Sequence, residues 1–284
     1  MRLVTFPNGE TRPALGLGTW RMGESRVSAK AEQDALRLAL DIGYRVFDSA
    51  EMYGDGGAET LLGQALAGAM RSGAVRREEL FIVTKVYPHN ASTKGVLAAC
   101  ERSLRRLQLD QVDLYLLHWP GEHPLAKTLA GFEAAQQRGW VHHWGVSNFD
   151  LAEMQELTAL PGGQACAANQ VYYSPRERGV EFDLLPWQQA RQMPLMAYCP
   201  IDAGALAAHR GFNEIAQRLN ATPAQLALAT LMARGGVMPI PKAVNPQHLR
   251  DNFAAAELDV DATTLSALDS LFPRPTRKRV LKMS

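Results

Sequence analysis

The chain has 284 residues, 46% hydrophobic and 21% charged, a composition that supports a large buried core and excludes a disordered or fibrous protein. Lys+Arg 30 against Asp+Glu 29 leaves a net charge of +1, so no overall field draws it to nucleic acid or an anionic membrane. Three cysteines, Cys100, Cys166 and Cys199, are too few and too scattered for a disulfide framework or a zinc site, which fits a reducing cytoplasm.

Leu3-Val4-Thr5-Phe6 and Arg12-Pro13-Ala14-Leu15 flank Asn8-Gly9, a strong hairpin signal, and predict a small lid hairpin ahead of the main fold. The turn arrives before a signal-peptide core could form, and no apolar run is long enough to span a bilayer. Leu15-Gly16-Leu17-Gly18-Thr19-Trp20 reads as a first strand whose glycines permit close backbone approach. Amphipathic periodicity predicts helices over 28–41, 58–70, 92–107, 125–138, 151–160, 182–191 and 223–234. The last helix of the series starts at Asn245-Pro246, an N-cap followed by proline at the first helical position.

Between these helices, short apolar runs end on polar residues. Val46-Phe47 runs into Asp48, Phe81-Ile82-Val83-Thr84 into Lys85, the run from Val112 into His118, and the run from Val141 into Ser147-Asn148. Gln170, Tyr198 and Lys242 close three later runs. Strand and helix therefore alternate in eight units of the usual βα size, which predicts one α/β domain over 1–284, a (β/α)8 TIM barrel. A doubly wound dinucleotide fold would want a third glycine after Gly16-x-Gly18, where Thr19, Trp20 and Arg21 follow instead.

In such a barrel the active site lies at the C-terminal ends of the strands, where the polar residues fall. Ends two, three and four are neighbours, so Asp48, Tyr53, Lys85 and His118 gather at one spot. Tyrosine, with an ordinary pKa of about 10, is a poor acid at neutral pH. An ammonium at about 4 Å, at an effective dielectric of about 20, is worth about 4 kcal/mol and would favour tyrosinate by about two to three pKa units before burial opposes it. Lys85 is the expected ammonium, with Asp48 orienting it and His118 directing a carbonyl oxygen toward Tyr53. The set suits proton donation to an oxyanion formed by hydride attack.

Gly16-Leu17-Gly18-Thr19-Trp20, Asp48-Ser49-Ala50-Glu51-Met52-Tyr53, Lys85, Leu116-Leu117-His118-Trp119-Pro120, Gly145-Val146-Ser147-Asn148-Phe149 and Ile240-Pro241-Lys242 resemble the motifs of the aldo-keto reductases, in order and over almost the whole chain. Within that family the sequence is most similar to the bacterial branch of methylglyoxal and 2,5-diketo-D-gluconate reductases. The resemblance implies a monomer or weak dimer that reduces small carbonyls with NADPH bound in extended form. It makes Asp48, Tyr53, Lys85 and His118 the catalytic tetrad. Ser147, Asn148 and Gln170 correspond to the groups that bond the nicotinamide carboxamide, and Tyr198 to the ring stacked on it. Gly18, Thr19, Trp20, Asp48, Pro200 and Ile201 would also touch the cofactor. Trp20 and Trp119 would wall the substrate pocket with Tyr53 and His118.

Where that family carries a serine, an arginine and a glutamate around the 2′-phosphate, this chain has Lys242-Ala243-Val244, His248 and Asp251-Asn252. Lys242 and His248 are the remaining cationic candidates there, beside backbone donors of the helix that starts at Asn245-Pro246, while Arg250 points elsewhere. The expectation is NADPH preferred over NADH by a smaller factor than the full motif would give, with NADH a weaker alternative. The segment Gly121-Glu122-His123-Pro124 and the basic tail from Arg274 to Lys282 are both short, implying an open pocket for small carbonyls. The tail reads as a solvated end, and Cys199 as buried and inert. A rival reading is a nicotinamide-binding regulatory or structural subunit with little catalysis, which tight NADPH binding without carbonyl turnover would favour. A metal-dependent barrel hydrolase using His89, His118, His142 and His143 is disfavoured because adjacent strand residues His142 and His143 face opposite sides, so no metal is expected.

Overall fold

A computed structural model of the chain describes residues 1–283. The hairpin forms from β1 (Leu3–Thr5) and β2 (Thr11–Pro13), antiparallel, with Val4 opposite Arg12. The barrel strands are β3 (Leu17–Gly18), β4 (Val46–Asp48), β5 (Phe81–Val86), β6 (Val112–Leu117), β7 (Val141–Ser147), β8 (Asn169–Tyr172), β9 (Leu195–Tyr198) and β10 (Val237–Pro239). Each pairs in parallel with the next in sequence. The ring is completed where the Gly16 amide donates to the Pro239 carbonyl and the Gly18 amide to that of Pro241, both at 3.0 Å. Glycine is required at that seam, because a Cβ on Gly18 would lie 2.9 Å from the Ile240 carbonyl oxygen. Every residue of β5 and β6 is buried, as parallel strands covered on both faces should be.

Helices α1 (Ala29–Ile42), α2 (Gly57–Arg71), α3 (Thr93–Leu107), α4 (Leu125–Gln137), α5 (Leu151–Ala159), α6 (Leu184–Gln189), α7 (Arg210–Arg218), α8 (Pro223–Ala233), α9 (Pro246–Ala254) and α10 (Ala262–Leu271) cover the barrel. Ser28 and Ser92 cap α1 and α3 through their hydroxyls, and Asn245 caps α9. The series does not end at α9, as the sequence reading had it. Both α7 and α10 went unread, and they share a satellite core with α8 built from Phe212, Ile215, Leu226 and Leu268.

The expected hairpin lid forms, and it covers the end of the barrel opposite the active end. Phe6 lies 5.2 Å from Phe81, the first residue of β5, and stacks at 5.7 Å on His143 near the start of β7. It therefore plugs the N-terminal end of the barrel, where those strands begin. Among the described residues no helix is long and apolar enough to cross a membrane.

Candidate active site

Asp48 is the last residue of β4, and Lys85 the fifth of β5, so the strand ends bring carboxylate and ammonium together. Lys85 Nζ lies 2.7 Å from Asp48 Oδ2, 2.8 Å from the Ser49 carbonyl oxygen and 3.2 Å from the Tyr53 hydroxyl. Three ammonium hydrogens thus meet three acceptors. Because Tyr53 accepts from Lys85, its own hydrogen is left to be given elsewhere. The Tyr53 turn is fixed from below: the Glu51 carboxylate accepts from the Tyr87 amide at 2.8 Å and the Asn90 side chain at 3.0 Å. Gly54, at φ 57, seats the turn against Gly23, where a Cβ would come within 2.8 Å of backbone.

His118 follows β6 and lies 8% exposed, its ring centroid 5.7 Å from that of Tyr53 and 4.7 Å from Trp119. Burial first, and then the Lys85 charge, drive its pKa down to about 2, so the imidazole is neutral. Among the described residues its Nδ1 is buried without a hydrogen-bond partner. An orphaned acceptor costs less than an orphaned donor, so Nδ1 carries the lone pair and Nε2 the hydrogen. A neutral donor therefore stands beside a phenol. Burial raises the Tyr53 pKa well above its ordinary value, and the charges of Asp48 and Cys199 push the same way. This corrects the expectation that Lys85 would favour tyrosinate: Asp48 at 2.7 Å offsets the ammonium, and desolvation wins. Burial also pulls the Lys85 ammonium below its ordinary value, against the opposing pull of Asp48.

Asp48, Tyr53 and His118 open onto a cleft of about 400 Å³, with Lys85 buried behind them. Trp20, Tyr53, His118 and Trp119 wall one part of it; Ser147, Asn148, Gln170 and Tyr198 face another. Gly18, Asp48, Pro200, Ile201 and Lys242 complete the sequence-derived set that reaches it. Asn148, in the left-handed region at φ 62, bonds the His118 carbonyl through Nδ2 at 3.1 Å and accepts from the Tyr198 hydroxyl at 2.8 Å. Gln170 Nε2 donates to Asp48 Oδ1 at 2.8 Å, and the Ser147 hydroxyl donates to the Gln170 carbonyl at 2.8 Å and accepts from Asn148 Nδ2 at 3.1 Å, so the ends of β4, β6, β7, β8 and β9 are tied through one polar network. The arrangement can hold a planar polar ring and pass a proton to an oxygen bound between Tyr53 and His118.

A family model described as Aldo/keto reductase family matches residues 14–272. The chain belongs to the aldo/keto reductase family. It is 45% identical to a protein named methylglyoxal reductase YeaE from Escherichia coli strain K12, over 99% of both chains. It is 31% identical to methylglyoxal reductase DkgB of Salmonella typhi, over 92% of this chain and 93% of that one. Among solved structures, an aldo/keto reductase from Klebsiella pneumoniae in complex with NADP and acetate superposes with a TM-score of 0.94 at 43% identity, covering 100% of this chain and 99% of that one.

Not every expected residue of this aldo/keto reductase reaches the cleft. Thr19 is buried behind it, its Oγ1 3.0 Å from the Asp48 carbonyl and from the Ser49 hydroxyl. Ala243, Val244, His248, Asp251 and Asn252 lie outside its lining, after Lys242 and along α9. At the start of α9 the Asn245 side chain already accepts from the Gln247 and His248 amides, and Asp251 from the Gln247 side chain. The backbone donors expected there are therefore engaged. Arg21, which follows Trp20 and stacks on it at 4.3 Å, joins Lys242 at that end of the cleft. Burial holds Lys242 below its ordinary pKa; the Glu32 charge opposes this, the Arg21 charge adds to it and Glu24 opposes it again.

Sequence reasoning missed Met52, Arg21, Ala203 and Met283 as cleft residues and misplaced Cys199, which lines the cleft half-buried rather than lying in the core. The tail is also no loose end. Arg274 pairs with Asp269 at 3.4 Å, Lys278 with Asp150 at 2.8 Å and Lys282 with Asp202 at 3.5 Å, bringing Met283 to the cleft. At the opposite end of the barrel, His142 and His143 do not diverge. Their Nε2 atoms lie 3.6 and 2.7 Å from the same Glu10 Oε2, because the hairpin curls beneath the start of β7.

Proposed function

We propose that the protein is an NADPH-dependent reductase of small aldehydes and dicarbonyls of the methylglyoxal kind, with Tyr53 as proton donor. The observation that carries this is the Lys85 ammonium on the Tyr53 hydroxyl, itself seated on Asp48, at the base of a cleft shared with neutral His118. The cofactor assignment is supported by the donor set of Ser147, Asn148 and Gln170 beside the Tyr198 ring, and by NADP in the 43% identical solved relative. When bound, NADPH supplies the hydride that reduces the carbonyl carbon. Ser147, Asn148 and Gln170 would hold the carboxamide, with Gly18, Pro200 and Ile201 along the cofactor. The substrate oxygen would lie between Tyr53 and the His118 Nε2 hydrogen, walled by Trp20 and Trp119. As charge develops on that oxygen Tyr53 gives up its proton, and Lys85 stabilises the phenolate left behind.

At the 2′-phosphate, Lys242 remains the assigned cation, with Ala243, Val244, His248, Asp251 and Asn252 around it. Arg21 adds a second positive charge close by. NADPH preference is therefore retained but reduced. We take residues 1–284 as one domain, working in the cytoplasm as a monomer or weak dimer. The test is oxidation of NADPH, and separately NADH, by purified protein with methylglyoxal and a panel of small aldehydes. Faster turnover with NADPH supports the reading, whereas equal or faster turnover with NADH at matched concentrations refutes the cofactor assignment.

A further inference from the structure

We propose that Glu10, His142 and His143 form a site for a borderline divalent cation, Zn2+ foremost, that fastens the N-terminal hairpin to the bottom of the barrel. One ligand atom from each residue can be chosen so that all lie within 4.8 Å of one another. Glu10 Oε2 is 2.7 Å from His143 Nε2 and 3.6 Å from His142 Nε2. Metal–ligand bonds of about 2.0–2.1 Å at tetrahedral angles set ligand atoms about 3.3 Å apart, between those two separations. Small rotations of two imidazoles reach that geometry.

The surroundings prepare Glu10 for this role. Arg12 engages its other oxygen, Oε1, which leaves Oε2 turned toward both rings. The Glu10 amide donates to Asn8 Oδ1 at 3.0 Å, so the turn that carries the carboxylate is itself fixed. His143 is held by stacking on Phe6, with the ring planes 9° apart. His142 is exposed and borders a groove of about 560 Å³ shared with Arg12, Arg77 and Asp113, through which a cation and a water as fourth ligand can enter. Two imidazoles and a single carboxylate favour Zn2+ and its neighbours over Mg2+ or Ca2+, which prefer oxygen ligands. The site is separate from the reductive cleft. Their linings share no residue, and His143 precedes Ser147 by four strand positions, about 13 Å along β7.

The test is Zn2+ titration of the metal-stripped full-length chain against a competing chromophoric chelator, with unfolding midpoints measured in parallel. The wild type should take up one equivalent, and at about a hundredfold excess over Kd its midpoint should rise by about 5 °C or more. His142→Ala and Glu10→Gln should each weaken binding at least tenfold and, at the same Zn2+ concentration, cut the shift to about half or less, with carbonyl reduction unchanged. His142 is exposed, so its variant should retain the metal-free midpoint of the wild type. Binding of equal strength in all three proteins, or none at about 100 µM Zn2+, would overturn the proposal.

Discussion

At the scale of residues, the protonation states of Tyr53 and His118 make a prediction about pH. His118 is neutral above about pH 2, and Tyr53 stays protonated beyond its ordinary value because its pKa is raised. Neither group changes state between about pH 6 and pH 9, so neither should put a step in the pH profile of kcat there. A loss of kcat on acidification through pH 7 that disappears in His118→Gln would contradict a neutral donor. Asp48, Lys85 and His118 were legible because each closes an apolar run, and a barrel brings such ends together, with Tyr53 five residues beyond Asp48. Their electrostatics were not legible. Whether Lys85 or burial dominates Tyr53 depends on Asp48 sitting 2.7 Å from the ammonium, a distance no spacing in the sequence reveals. His142 and His143 illustrate the same gap, since alternation predicts Cβ directions but not where long side chains end when another segment passes beneath them.

At the scale of elements, glycines give paired expectations of opposite sign. A Cβ on Gly145 in β7 would lie 2.4 Å from the Ala168 carbonyl oxygen and 2.9 Å from Leu116 Cδ2, with backbone on one side unable to yield. Gly145→Ala should cost about 1–3 kcal/mol, read as a lower denaturation midpoint in urea. Gly68, inside α2, would meet nothing within 4 Å, and Gly68→Ala should stabilise by about 0.5–1 kcal/mol, read as a higher midpoint. Parity of the two variants would contradict the packing described. The helices over α1 to α5 were readable to within a residue or two because their apolar faces repeat over nine or more residues. α7 was harder: Phe212, Ile215 and Ala216 face a local cluster rather than the barrel, and α8 follows with no strand between, so strand–helix alternation left no place for it. α10, with Leu268 as its one buried residue, carried still less signal.

At the scale of the whole molecule, the two ends of the barrel do different work. The lower end is plugged by the hairpin, and the upper end is bordered by the chain's last residues. Lys282 holds Asp202 and covers the Tyr172 ring at 4.3 Å, Leu281 packs against the core and Met283 lines the cleft. The tail's basic composition suggested solvation, because two of its carboxylate partners, Asp150 and Asp202, lie far back in sequence. A chain ending at Arg279 should therefore show KM for small aldehydes raised about fivefold, ~1 kcal/mol, with kcat within about twofold. Unchanged KM would remove the tail from the substrate site. The most direct test of the central claim compares wild type and Tyr53→Phe in methylglyoxal-dependent oxidation of NADPH, with NADPH binding followed by fluorescence. The account predicts a wild type that turns over and a variant that binds the cofactor as tightly while losing about 10²–10⁴-fold in kcat. A variant that reduces methylglyoxal at the wild-type rate would show that Tyr53 is not the proton donor.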